Sequence, residues 1–252
     1  MMRRVFYILL IFLNSNTMIE FIHKIPILTT ILSAVFFVVL YKHWVYKNRP
    51  SYLFWWMIGV LCYGLGTLTE SIVGIFDWSE PVFKAWYILG ALLGGFPLAQ
   101  GSVYLIFKKH TADIMMIVVV SVIVIASILV LLSPIDYSLV EPTRLTGKVL
   151  IWKNVRLITP FVNIYAFIFL VGGAAYSAYR YSKDPQFKSR FIGNVFIAVG
   201  GLLPGIGGSF TKFGYTEVLY VTELLGIILI YMGYHTMKRD RTVSIYDAQA
   251  IS

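Results

Sequence analysis

Two glutamates stand inside long apolar runs of this chain: Glu70 within residues 52–76 and Glu223 within residues 218–237. A carboxylate set that deep among apolar residues is costly unless it faces protein or water, so each marks a packed polar interior. The chemistry open to them is the binding of a cation or amine, or the exchange of a proton. Each also has a plainer reading. Glu70 could pair with Lys84 near the end of its run, and Glu223 could hydrogen-bond a neighbouring helix.

Other special residues share their depth. Counted from the same end, Glu70, Asn163 and Pro204 each lie six residues into their runs and Glu223 five. At ~1.5 Å per residue that is roughly 8–9 Å below the boundary. Thr67, Trp86, Gly90, Tyr165 and Tyr220 fall near the same level. A common depth is what a shared cavity requires. The sixth run adds a backbone feature: Gly200-Gly201-Leu202-Leu203-Pro204-Gly205-Ile206-Gly207-Gly208 is poor helix material, and its proline frees a carbonyl. One expectation is a broken helix at Pro204 and Gly205 lining a water-filled cavity. The other is close packing through small residues with an ordinary proline kink. The expected ligand site therefore comprises Glu70, Glu223, Asn163, Trp86, Tyr220, Tyr165, Thr67, Pro204 and Gly205. It would open outward between spans two, three, five, six and seven.

Helical spacing organises the stretch around Glu70. Trp56, Gly59, Tyr63, Gly66 and Gly74 fall on its side of the second run. Trp86, Gly90, Pro97, Gln100 and Tyr104 stack on one face of the third. Asp77-Trp78-Ser79-Glu80-Pro81 between them is a turn signal with an aromatic anchor.

Much other chemistry is excluded. The lone Cys62 can form neither an intramolecular disulfide nor a thiolate metal cluster. His23, His43, His110 and His235 all sit near run ends, so paired ligands for an intramembrane haem and the histidine set of a di-iron oxygenase are missing. His43, His110 and His235 could meet at one end and bind a metal, but interfacial histidines among lysines and arginines are the expected reading. No metal or cofactor is expected. No aspartate lies within the apolar runs, no serine–histidine pair is available there, and no phosphate-cradling loop leads into a helix. The last run lacks a Schiff-base lysine, which excludes retinal proteins. The third ends Ile106-Phe107-Lys108-Lys109 and the last Tyr231-Met232-Gly233-Tyr234, without the signature motifs of G-protein-coupled receptors.

The elements that must position these residues are membrane helices. Of 252 residues 58% are hydrophobic and only 13% charged, and mean hydropathy is +0.78. A bilayer can accept that much apolar surface and a soluble domain cannot. The net charge of +9 comes from short basic clusters at run ends, a topology pattern rather than a nucleic-acid surface. Seven runs reach spanning length, at 25–44, 52–76, 85–107, 114–132, 157–179, 191–210 and 218–237. None alternates as a barrel strand would, so the fold class is all-α, a seven-transmembrane-helix bundle. Residues 18–237 form the membrane domain and 238–252 a cytoplasmic tail. Residues 1–17 form a leader or non-spanning segment, with Arg3-Arg4 before a short apolar run and no cleavage pattern.

Twelve of the 21 lysines and arginines collect on one side, in the turns after spans one, three and five and after span seven. That side is expected to be cytoplasmic, placing the N-terminus out and the C-terminus in. In the long outer loop, Val149-Leu150-Ile151-Trp152 would lie in the interface or fold over the outer mouth. The fourth run, almost all Ile, Val, Leu and Met, suits lipid contact and belongs at the edge. At an offset of 134 residues Pro26 falls on Pro160, Arg49 on Lys183, Gly59 on Gly193, Gly66 on Gly200, Leu68 on Leu202 and Gly74 on Gly208. These coincidences suggest a 3+1+3 parallel repeat.

Three function classes follow. The first is a cell-membrane protein that binds or transports a small molecule or cation. The second is a non-catalytic subunit or sensor scaffold with protein partners in a membrane complex. The third is an enzyme acting on a lipid or isoprenoid, with Glu70 or Glu223 as acid–base. Membrane lipids are partners in all three, and nucleic acid in none.

Overall fold

The computed structural model describes residues 22, 24–142, 144–211 and 213–239. The leader and the tail beyond Arg239 lie outside the described residues. Every regular element described is helical, and the bridges Ile135–Leu150 and Glu141–Arg144 are isolated pairs in one loop.

Among the described residues, seven helical spans are long and apolar enough to cross a membrane. Span one is α1 (Ile25–Tyr46) and span two α2 (Ser51–Phe76). Span three consists of α3 (Glu80–Trp86), a π-helical turn (Tyr87–Leu92) and α4 (Phe96–Ile106). Span four is α5 (Lys109–Leu132). Span five runs through α6 (Lys153–Ala166), a π-helical turn (Phe167–Gly172) and α7 (Gly173–Tyr181). Spans six and seven are α8 (Lys188–Thr211) and α9 (Thr216–Lys238). The shortest full span, 22 residues, is about 33 Å long at ~1.5 Å per residue, enough for a ~30 Å hydrocarbon core. Proline sets several starts, standing at the first helical positions of α1, α3 and α4 where a missing N–H costs nothing. Span four begins earlier than its apolar run suggests, so Asp113 falls inside it, bonded to Tyr104 (2.6 Å) and Lys109 (3.1 Å).

Packing closes six spans into a ring in the order one, two, three, five, six, seven and back to one. Span four lies outside, against three and five. Burial agrees: 61% of the most apolar stretch of span two is buried, and 17% of that of span four. One core cluster draws on all six ring spans, including Phe36, Trp56, Tyr63, Leu98, Leu170, Ile197 and Ile230. A second lies toward the opposite end, where the loop between spans four and five folds back. There Val149 and Leu150 are buried against Phe83, Tyr87 and Val73, while Ile151 and Trp152 are exposed. The four-residue stretch thus divides its roles, two residues folding inward and two facing out.

Of the two alternatives for span six, close packing is the one found, and a bend falls in span three. Span six is not broken: α8 continues through Pro204 to Thr211. Pro204 cannot bond the carbonyl of Gly200, and that carbonyl meets Gly226 of span seven instead. A Cβ built on Gly226 would lie 2.9 Å from it. Close approach of this kind permits Cα–H···O contacts between helices. The interruption falls in span three, where Leu93 N–H bonds Ile88 carbonyl (2.9 Å) before a bend at Gly94-Gly95.

Candidate functional site

The site is assembled on span two. Tyr63 and Glu70 are seven residues apart, two turns along one face. Gly66 between them lets span three come close; a Cβ there would lie 3.2 Å from the Cα of Gly90. That approach delivers the indole of Trp86, the last residue of α3, whose Nε1 donates to Glu70 Oε1 at 3.0 Å. From span seven, Tyr220 and Glu223 lie three residues apart and share a face. The Tyr63 hydroxyl ties the two spans by donating to the backbone carbonyl of Glu223 at 2.8 Å.

The two glutamates meet there. Their carboxyl groups lie close enough to interact with each other. Glu70 is only 3% exposed. Glu223 is half-buried as a residue, yet its Oε2 is enclosed. Neither Glu70 Oε2 nor Glu223 Oε2 accepts from a protein donor. Among the described residues no lysine, arginine or histidine forms an ion pair with either carboxyl. Two carboxylates cannot occupy such a site as bare anions, because like charges at this distance repel strongly in an apolar interior.

The proposed Glu70–Lys84 pair is not formed. Lys84 Nζ is held by Glu80 Oε1 at 2.7 Å and by the Leu131 carbonyl at 2.8 Å. One helical turn separates Glu80 from Lys84, and the end of span four supplies the carbonyl, so the ammonium is engaged away from Glu70. Tyr137 completes this group by donating to Glu80 Oε2 at 2.7 Å, and that bond raises the Tyr137 phenol above its ordinary pKa.

Of the nine residues expected to form one site, four converge: Glu70, Glu223, Trp86 and Tyr220, the last close enough to feel both carboxyls. Thr67 instead clasps spans one and two, its hydroxyl 2.9 Å from that of Thr30. Tyr165 belongs to a separate network, donating to Gln100 Oε1 (2.6 Å) while Gln100 Nε2 donates to the Ala112 carbonyl (3.0 Å). Asn163 is exposed on the outer face of span five. Pro204 packs on Gly226, and Gly205 is exposed with nothing within 4 Å of a built Cβ. Tyr63 is the member that depth alone did not select; its seven-residue spacing from Glu70 was the available signal. A groove of about 550 Å³ lies elsewhere, lined by Glu80, Pro81, Lys84, Ala85, Ile88, Leu89 and Leu131, none of them among the nine.

His43 Nδ1 lies 2.7 Å from the Tyr234 hydroxyl, and His235 stacks on Tyr231. Among the described residues no three His, Cys, Asp or Glu side chains are placed to hold a metal ion.

The chain matches no family model, no curated protein and no solved structure. Its architecture is that of a multi-pass membrane protein.

Proposed function

We propose that this protein binds or transports a small molecule or cation at the Glu70–Glu223 centre. The observation that carries the reading is the approach of two enclosed carboxyls from different spans, with no ion pair to either among the described residues. Intramembrane acids without a structural counter-ion are expensive, and they recur where ions or protons bind. The surrounding elements suit a mobile site, because span three bends at Gly94-Gly95 within one span length of Trp86. Proteoliposome uptake and ligand-binding screens with Glu223→Gln and Glu70→Gln variants test it. Loss of a ligand's uptake or binding in both variants, with folding intact, is the expected result. A ligand handled equally well by both variants would move the function away from this pair.

The scaffold reading stays second, favoured by the interaction of the two carboxyls with each other and by a groove placed elsewhere. Native co-purification of a stable partner, with no ligand dependence on either glutamate, would bring it forward.

The proposal includes an N-out, C-in orientation, supported by the basic clusters, and the 3+1+3 repeat. Neighbour relations support the repeat: one–two and two–three recur as five–six and six–seven. The matched glycines agree in role. Gly59 and Gly66 of span two approach Leu98 and Gly90 of span three. Gly193 and Gly200 of span six approach Gly233 and Gly226 of span seven.

A further inference from the structure

Ligands that two carboxyls can share differ in the room and the donors they need. A bound metal cation needs several oxygens at ~2.0–2.6 Å around it. Here Glu70 Oε1 already accepts from Trp86, and the hydroxyls of Tyr63, Thr222 and Thr67 are directed to backbone carbonyls or to one another. Tyr63 donates to Glu223, Thr222 to Val218, and Thr67 is engaged with Thr30 and Gly64. An ammonium group is bulkier and would have to fit between two interacting carboxyls in an enclosed site. A proton needs no space, since an O–H···O⁻ bond closes to ~2.5–2.7 Å.

We infer that the ligand of the Glu70–Glu223 pair is a proton, shared between the carboxyls and exchanged in the course of function. The inference rests on the proposed function and names its coupling ion. Uptake converts one carboxylate to a carboxylic acid whose O–H donates to the other carboxylate. Both unpartnered oxygens, Glu70 Oε2 and Glu223 Oε2, thereby become available to one bond. Release hands the proton to water and leaves two adjacent anions, so spans two and seven must part or admit another cation. The titratable neighbours are Tyr63 on span two and Tyr220 on span seven, with Glu217 beyond Tyr220; Trp86 faces the pair from span three as a donor that does not titrate. The basic residues described on the packed spans form no ion pair here.

Infrared difference spectroscopy on the full-length protein in nanodiscs, between acidic and alkaline buffers in sodium-free medium, tests this with the proton as probe. The wild type should show a carboxylic-acid carbonyl band that shifts in D₂O. Glu70→Gln and Glu223→Gln should each lose it, because the glutamine amide supplies the N–H that the remaining carboxylate needs. Asp113→Asn, at a distant ion pair, should keep it. Circular dichroism and gel filtration establish that each variant is folded; if one single variant fails to fold, the other decides. A wild-type spectrum without the band, or a band unchanged in a folded single variant, overturns the inference. The proposed function fails separately: a ligand whose transport needs Glu223 without any such band leaves it standing, whereas the band with ligand handling indifferent to both variants removes it.

Discussion

Trp86 is the residue whose contribution can be isolated most cleanly, because its ring and its N–H have different partners. Nε1 donates to Glu70 while the ring packs against Phe83 and Tyr87. Trp86→Phe retains most of the ring and removes the donor. The expected cost is about 1–3 kcal/mol, the range for stripping a donor from a buried acceptor. Thermal unfolding in detergent measures it, and Trp86→Phe in a Glu70→Leu background should cost markedly less, since the acceptor is gone. Equal costs in both backgrounds would reduce Trp86 to packing. Glu70 and Glu223 stood out in the sequence because a carboxylate in an apolar run is costly unless protein or water receives it. Asn163 was misplaced by the same argument, because depth along a helix says nothing about azimuth. Tyr165, two residues on, lies about 200° around the helix. It reaches Gln100 inside the bundle, while Asn163 faces outward.

At the scale of elements, glycine marks the contacts between helices. Gly193, Gly200 and Gly207 repeat every seven residues on α8, and Gly226 and Gly233 answer them on α9. A Cβ on Gly200 would stand 2.8 Å from the Gly226 carbonyl oxygen, and one on Gly226 would stand 2.9 Å from that of Gly200. Gly200→Leu or Gly226→Leu should therefore destabilise by ~2–3 kcal/mol or more through overpacking against backbone that cannot yield. Gly205→Leu, with open space beside it, should be nearly silent. Thermal stability of the three variants side by side decides whether this seam holds spans six and seven together. Span four sets the contrasting case: Ile117→Leu or Val118→Leu on its exposed face should cost well under ~1.5 kcal/mol. The sequence marked Gly-rich span six as special, and the close packing is there. The sequence left a break and a close-packed helix open as alternatives, and the second is found, because a proline in a membrane helix interrupts the chain only where neighbours fail to cover the freed carbonyl. Gly226 covers it on span six. On span three Gly94-Gly95 and Pro97 bend the helix instead, and the π-helical turns have no pattern by which composition could announce them.

For the whole molecule, hydropathy specified the number of spans, and the polarity of the fourth run specified its place at the edge. Which spans neighbour which was not legible from hydropathy, because every span presents apolar surface to every other. The ring order rests on particular pairs instead, such as Gly66 with Gly90, Gly200 with Gly226 and Tyr63 with the Glu223 carbonyl. The proposed orientation of that ring in the membrane rests on charge alone. The turn between spans five and six carries Lys183 with Lys188 and Arg190, whereas the loop between spans four and five uses Arg144 structurally. That guanidinium reaches the Thr211 carbonyl at 2.5 Å and Glu141 at 3.1 Å, so it caps the end of α8. Discounting a cation held by the fold sharpens the imbalance that favours the Lys183 side as cytoplasmic. In a Cys62→Ser background, a cysteine at Ser138 should react with an impermeant maleimide added to intact cells. One at Ser182 should react only after permeabilisation. Both positions are exposed, on opposite ends of the bundle, so each serves as the control for the other. Reaction of Ser182→Cys from outside with protection of Ser138→Cys would invert the protein. The acid pair would then lie nearer the cytoplasmic face, and its proton would exchange with the cell interior first.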